Sequence, residues 1–404
     1  QIEVDALGRE IAQLKKINPI PGNNLFLTID LHTQNTAKKL MKDKAGAVVA
    51  LNPQNGKVIA MVSSPTFDPN IFATVLTRDD WEELLKDPFD VLTNRVIQGQ
   101  YPPASTFKAI TAIALLEEEI ISPSTEIFSG PDFKFAGMTY RDWKDEGHGI
   151  INVHRAIIES SDTFFYQTGL MLGVDKLAYY AKGFGLGKKT NIKLKGEKAG
   201  LVPTKEWKSR IYKEPWYKGE TISVSVGQGF MLATPLQMVN AYSAIANGGR
   251  LYLPQIVDRV ETPSGEVIWR FMPKEIGRPP VSRRTIDIIR SALKGVVNDE
   301  GGTARGIRIK GIDIAGKTGT AQVIRLDKER DKSKEIPYKF KDHSWFIGYA
   351  PADDPQIAVA VLVEHGGFGA QVAAPIAREV IRAYLRVGEH EEPYNILKAD
   401  NQYF

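Results

Sequence analysis

A serine and a lysine three positions apart, in Ser105-Thr106-Phe107-Lys108, carry the most pointed chemistry in this chain. Positions i and i+3 share one helix face, so the hydroxyl and the amine are expected to meet. A serine hydroxyl becomes a nucleophile when a neighbouring base takes its proton. Lysine serves as that base when burial or a nearby cation favours its neutral form. Pro102 and Pro103 suit a helix start, which puts Ser105 in the first turn. Free N–H groups and the helix dipole there favour a developing oxyanion. The tetrad alone says little, since ordinary composition yields it roughly once or twice in such a chain. It recurs as Ser291-Ala292-Leu293-Lys294, inside a mixed helical stretch without a start signal, and that copy reads as structural.

Two further motifs follow in order. Ser160-Ser161-Asp162 is the only S-x-[ND], and Lys317-Thr318-Gly319, followed by Thr320, is the only K-[ST]-G. A cation with hydroxyls suits a substrate carboxylate. A glycine on a strand lets another backbone approach closely. Other signatures fail. Gly183 to Thr190 lacks the first glycine of a phosphate loop, where Lys182 stands, and neither G-x-S-x-G nor H-E-x-x-H occurs. The six histidines are scattered.

Elements must bring these motifs together. Ala47–Leu51 and Lys57–Val62 read as strands joined through Asn55-Gly56, a hairpin signal. Phe107–Ile121 is apolar all round and reads as a core helix. Residues 151–187 and 232–247 read as helices, and 188–231 and 248–281 as loops with short strands. Strands return at Ile312–Val323, Ser344–Tyr349 and Gln356–Glu364, followed by a helix over Val372–Arg386. Hairpin connections favour an antiparallel sheet. The charged stretch 325–342 reads as a mobile loop.

Composition sets the outer bounds. A chain of 404 residues with 43% apolar and 25% charged residues is ordinary globular protein, and its length allows several structural units. A net charge of +4 is no nucleic-acid footprint. With no cysteine there is neither disulfide nor thiolate metal site. No run of 18 apolar residues is present to span a membrane. Residues 1–24 end in Pro19-Ile20-Pro21-Gly22 and read as a linker.

S-x-x-K, S-x-[ND] and K-[ST]-G in that order resemble the signature of penicillin-binding proteins and serine β-lactamases. Tyr140–Lys144, Gly147-His148-Gly149, Glu159–Gln167, Gly227-Gln228-Gly229, Ala233-Thr234-Pro235 and Lys317–Gln322 extend the likeness. Together they resemble the penicillin-binding protein 2 family, the monofunctional class B transpeptidases of bacterial cell elongation, over residues 25 to about 385. The resemblance implies an α/β (α+β) transpeptidase fold, with a five-stranded antiparallel sheet flanked by helices and a mostly helical lobe. It places the transpeptidase domain at 25–404 with the lobe inserted at about 65–300, and makes 1–24 a remnant of a non-catalytic pedestal. It implies a membrane anchor upstream of Gln1 and a place on the periplasmic face of the bacterial inner membrane. The implied partners are peptidoglycan stem peptides, β-lactams, the glycan polymerase RodA and the elongation protein MreC. No cofactor and no nucleic acid are implied.

By that resemblance Ser105 attacks the carbonyl of a D-Ala-D-Ala stem peptide and Lys108 takes its proton. Ser160 relays the proton to the leaving amine, between Lys108 and Lys317. Lys317, Thr318 and Thr320 hold the substrate carboxylate, beside Gly319 and Asp162, and the N–H groups of Ser105 and Thr320 form the oxyanion hole. Two departures stand out. Many family members carry Asn at Asp162, and a carboxylate there favours a protonated Lys108. Some relatives hold zinc with Asp, His and Cys; Asp142 and His148 match that spacing, but Ser161 replaces the Cys, and a hydroxyl is a poor zinc ligand. No zinc is therefore expected, and Asp142 with His148 reads as a hydrogen-bonded pair. The rivals are a serine β-lactamase, which turns over its acyl-enzyme quickly, a D,D-carboxypeptidase, which accepts water, and an inactive β-lactam sensor or scaffold.

Overall fold

The computed structural model describes residues 2–13, 15, 19–73, 76–323 and 337–387. Two compact units are present. One comprises Gln1–Thr28 with Val257–Met272, and the other Ile29–Ile256 with Pro273–Phe404. In the first, Asn24–Leu27 pairs antiparallel with Val257–Glu261, which pairs in turn with Val267–Arg270.

The second unit is built on a five-stranded sheet. Its strands are β1 (Gly46–Leu51), β2 (Val58–Ser64), β3 (Ala315–Ala321), β4 (His343–Ala350) and β5 (Ile357–Val363). The order is β3-β4-β5-β1-β2, and every pair is antiparallel. The β1–β2 turn closes as expected: Asn52 C=O accepts the Gly56 N–H, and Gly56 has φ +82°. Every residue of β5, Ile-Ala-Val-Ala-Val-Leu-Val, is buried. A strand buried on both faces needs cover on both. Helices α1 (Leu31–Leu40) and α6 (Ala373–Leu385) pack on the sheet together. The fully buried helix α4 (Pro235–Ala246) packs against β1, β4 and β5.

Between β2 and β3 lie α2 (Lys108–Glu117), α3 (Asp162–Leu172) and α5 (Arg283–Asn298), besides α4. The predicted core helix is shorter than Phe107–Ile121. It opens with a 3₁₀ turn, Ala104–Phe107, and its α-helical part ends at Glu117. The stretch 188–231 is not all loop: it holds helices Lys205–Tyr212 and Lys218–Ser225. Caps rather than periodicity start them. Thr204 Oγ1 accepts the Trp207 N–H, and Glu220 reaches back to the Tyr217 N–H. The helical lobe also contains small hairpins. Ile127–Ser129 pairs with Gly149–Ile151, and Asp132–Phe135 pairs with Met138–Arg141 through Ala136-Gly137, both at positive φ. The charged stretch lies outside the described residues over 324–336; Tyr338–Phe340 beyond it forms a 3₁₀ turn.

Candidate active site

Ser105 sits in the 3₁₀ turn leading into α2, after Ala104 at φ +49°. A non-glycine residue there is strained and persists only when its surroundings fix it. Several bonds do so. The Ala104 N–H donates to Gly227 O at 2.9 Å, and Tyr101 exchanges backbone bonds with Ala233 at 3.0 and 2.9 Å. Trp345 Nε1–H donates to Pro102 O at 3.1 Å, and Tyr242 O–H to Thr106 O at 2.6 Å.

Lys108 begins α2 and is wholly buried. Its Nζ donates to Ser160 O at 2.8 Å and to Asp162 Oδ1 at 2.7 Å, with Ser160 Oγ at 3.4 Å. The expected Ser105–Lys108 pair is not drawn up tight. Among the described residues no hydrogen bond joins their side chains, and the amine is engaged by the Ser160–Asp162 motif instead. That motif is itself strained, with Ser160 at φ +58°. Ser161 caps α3, its Oγ accepting the Phe164 N–H at 3.2 Å, which places Asp162 in the first helical turn. Burial pushes the Asp162 carboxyl up, Lys108 and Lys317 pull it back, Asp142 adds to the rise, and the net direction is up.

Lys317, on β3, is also fully buried. Burial drives its amine well below the usual lysine range; the Lys108 charge adds to this and Asp162 opposes it. β3 is an edge strand, with only β4 beside it, so alternate N–H and C=O groups face away from the sheet. The pleat divides the motif. Lys317 and Gly319 share one face, and Thr318 and Thr320 the other. Thr318 Oγ1 pairs with Thr303 Oγ1 at 2.9 Å, and Thr320 Oγ1 accepts the Gly369 N–H at 3.4 Å. The two threonines therefore form a hydroxyl face, while the Lys317 amine feels Lys108 and Asp162. Gly319 has a packing role not foreseen from sequence. A Cβ there would lie 3.0 Å from Thr106 Cγ2 and 3.1 Å from Trp345 Cβ, so its absence lets β3 rest on the serine turn.

Behind the Ser160 turn lies a cluster of charges. Asp142 Oδ2 accepts the N–H groups of Asp162 and Thr163, both at 2.8 Å, and the hydroxyls of Ser161 and Thr163 at 3.2 and 3.1 Å. Its Oδ1 faces His148 Nε2 at 3.1 Å, and His148 Nδ1 faces Glu159 Oε2 at 2.8 Å. Asp142 and His148 thus form a hydrogen-bonded pair, extended by Glu159. Burial pushes Asp142 up, but His148, the Thr163 N–H and Lys108 hold it far below the usual carboxylate range. Burial lowers His148, but its two carboxylate partners raise it above the usual value. The donor set does not fit zinc. The Ser161 hydroxyl is taken up by Ser129 Oγ, Asp142 and the Phe164 N–H. Among the described residues no group of three or more His, Cys, Asp or Glu could hold a metal ion.

The second tetrad is elsewhere engaged. Ser291 Oγ lies 3.3 Å from His154 Nε2, and Lys294 Nζ pairs with Asp313 at 2.7 Å and Asp353 at 3.1 Å. Ser160 and Asp162 reach the buried Lys108 amine from some fifty residues along the chain, Lys317 lies near enough to feel its charge, and Ser105 sits in the turn just before it. Sequence reasoning missed Trp345, Tyr242 and Ser129, which hold the turns and carry no motif.

Residues 46–382 match the family described as the penicillin binding protein transpeptidase domain. The chain is 40% identical over 387 residues to the peptidoglycan D,D-transpeptidase MrdA of Salmonella typhimurium strain LT2, covering 94% of this chain and 62% of that protein. It therefore spans about three-fifths of the length of that relative. A solved complex of penicillin-binding protein 2 (PBP2) and MreC from Helicobacter pylori superposes with TM-score 0.81 at 32% identity, covering 96% of this chain and 68% of that one. The penicillin G acyl-enzyme complex of penicillin-binding protein A from M. tuberculosis superposes with TM-score 0.78 at 30% identity, covering 90% and 81%.

Proposed function

Because this chain belongs to the penicillin-binding protein transpeptidase family, we propose that it is a peptidoglycan D,D-transpeptidase of the cell-elongation type, inhibited by β-lactams through acylation of Ser105. One observation carries the reading: the Ser160–Asp162 motif converges on the buried Lys108 amine, three residues from the strained Ser105 turn and beside the buried Lys317.

In this reading Ser105 Oγ attacks the carbonyl carbon between the last two residues of a D-Ala-D-Ala stem peptide, and its proton passes to the Lys108 amine. The backbone N–H groups of Ser105 and Thr320 receive the tetrahedral oxyanion. The C–N bond breaks, and the leaving D-Ala amine takes the proton by way of Ser160 Oγ, 3.4 Å from Lys108 Nζ. An acyl ester on Ser105 remains. The amine of a second stem peptide attacks it, giving an amide cross-link and returning the proton to Ser105. The hydroxyl face of Thr318 and Thr320 binds the terminal carboxylate, and the edge of β3 that no strand pairs among the described residues accepts the peptide as an added strand. Lys317 brings a second buried amine, one that burial keeps from holding its proton, to the cluster from the other side of the pleat.

The solved relatives support two of the proposed partners, MreC and β-lactams. MreC is a partner of the Helicobacter pylori PBP2, and RodA and stem peptides follow from the elongation role. We place the protein at the periplasmic face of the inner membrane, and read residues 1–24 as the end of a pedestal. Among the described residues no helix is long and apolar enough to cross a membrane. A fluorescent penicillin tests the function. The native protein should be labelled covalently and Ser105→Ala should not. With a chromogenic cephalosporin, a stoichiometric burst is expected, whereas sustained turnover would favour a β-lactamase.

A further inference from the structure

Trp143 stands beside the Ser160 turn with its indole N–H directed into it. The Nε1–H lies 3.1 Å from Glu159 O and 3.1 Å from Ser160 O. Ser160 O also accepts the Lys108 amine at 2.8 Å. A carbonyl oxygen offers two lone pairs, and here one atom joins the buried amine to an indole that is 55% exposed. The joined residue has φ +58° and carries the hydroxyl proposed to relay the proton. Such a conformation relaxes unless its peptide units are held. Lys108 holds the turn from inside and Trp143 from outside.

We propose that Trp143 is a positioning residue for acylation: its indole N–H fixes the peptide carbonyls of Glu159 and Ser160, and through them aligns the Lys108 amine and Ser160 hydroxyl for Ser105. The proposal rests on the serine-acylation reading above. The ring itself contributes little to the core, since more than half of it is exposed. Its nearest aromatic contact is an edge-on approach to His148 at 5.8 Å, which phenylalanine or a sulfur isostere largely keeps. What only the indole supplies is the donor. Without it, the Ser160 carbonyl is held by Lys108 alone, and the Ser160 Oγ, already 3.4 Å from that amine, loses its register.

The test separates the encounter constant K from the acylation rate constant k2 for benzylpenicillin. Native protein is compared with Trp143→Phe and with Trp143 replaced by β-(3-benzothienyl)alanine, which keeps the shape and lacks the N–H. Losing one hydrogen bond that orients the reacting groups should lower k2 about tenfold in both variants. K should stay within about twofold, because ground-state binding is untouched, and the thermal midpoint of the benzothienyl variant should match the native value. A benzothienyl variant with native k2 overturns the proposal. So does a raised K with unchanged k2, which would make the ring a pocket wall, or a loss of k2 that accompanies a lowered midpoint. A native protein that is never acylated would instead overturn the serine-acylation reading itself, and this inference with it.

Discussion

Replacing Gly227 by Ala should disable Ser105 without touching any reacting group. Gly227 has φ +72°, and its carbonyl accepts the Ala104 N–H at 2.9 Å. A Cβ at this position would lie 2.4 Å from Ala104 O, 2.7 Å from Phe107 Cβ and 2.9 Å from Ala104 N. Restoring the first contact to van der Waals distance requires a retreat of about 1 Å. Two of the three atoms are backbone, and Ala104 adjoins Ser105, the proposed nucleophile, so the retreat displaces it. A misplacement of about 1 Å costs roughly a hundredfold in rate. Overpacking adds about 1–3 kcal/mol of instability, on top of about 1 kcal/mol for alanine at positive φ. Gly137→Ala is the control. That glycine has φ +78° with nothing within 4 Å of a Cβ, so only the conformational cost of about 1 kcal/mol applies. Urea unfolding and the rate of penicillin acylation measure both effects. If Gly227→Ala acylates within about threefold of the native rate, the overlap does not reach the nucleophile and the reasoning fails.

Two further outcomes are expected. Asp142→Asn removes a buried anion that receives two backbone N–H groups and His148, and should destabilise the fold by about 3 kcal/mol at pH 7. The folded-state carboxyl lies below the ordinary value of 3.8, so the stability it confers is present above that pH and is lost as pH falls through the folded value. The gap between native and variant in urea melts should therefore widen as His148, raised by Asp142, takes up its proton below pH 7, and should narrow below about pH 4; a gap independent of pH contradicts this. Lys317→Met should abolish acylation yet stabilise the fold at pH 7 by about 1–3 kcal/mol, because a buried, poorly bonded amine is replaced by a hydrophobe of similar volume. The folded amine lies well below 10.5, so the folded chain binds fewer protons than the unfolded one and native stability rises with pH up to that value. The advantage of Met should shrink between pH 7 and 10, and a constant advantage would show that burial does not depress Lys317.

Three short motifs were legible in the sequence because each carries its chemistry in consecutive residues. The sheet was legible for a different reason. β5 is apolar at every position, and Asn55-Gly56 closes β1 onto β2. The hairpins of 127–151 and the helices of 205–225 were not, since their strands are three or four residues long and their helices eight. Such elements depend on caps and turns more than on periodicity. The division of Lys317 from Thr318 and Thr320 follows from the strand pleat, yet becomes visible only once β3 is known to be an edge. The helix-face argument placed Ser105 and Lys108 side by side. It could not show that Ser160 and Asp162, some fifty residues on, claim the amine. Likewise Trp345 and Tyr242 support the serine turn through hydrogen bonds to the carbonyls of Pro102 and Thr106, which leave no local signature.

Intact-mass analysis after penicillin treatment, followed by peptide mapping of the adduct, bears most directly on the chemistry assigned to this fold. One penicilloyl group per chain, carried on the peptide containing Ser105-Thr106-Phe107-Lys108 and located on the serine, is the predicted result. An unmodified mass, or an adduct on Ser160 or on Ser291 of the second tetrad, would contradict it.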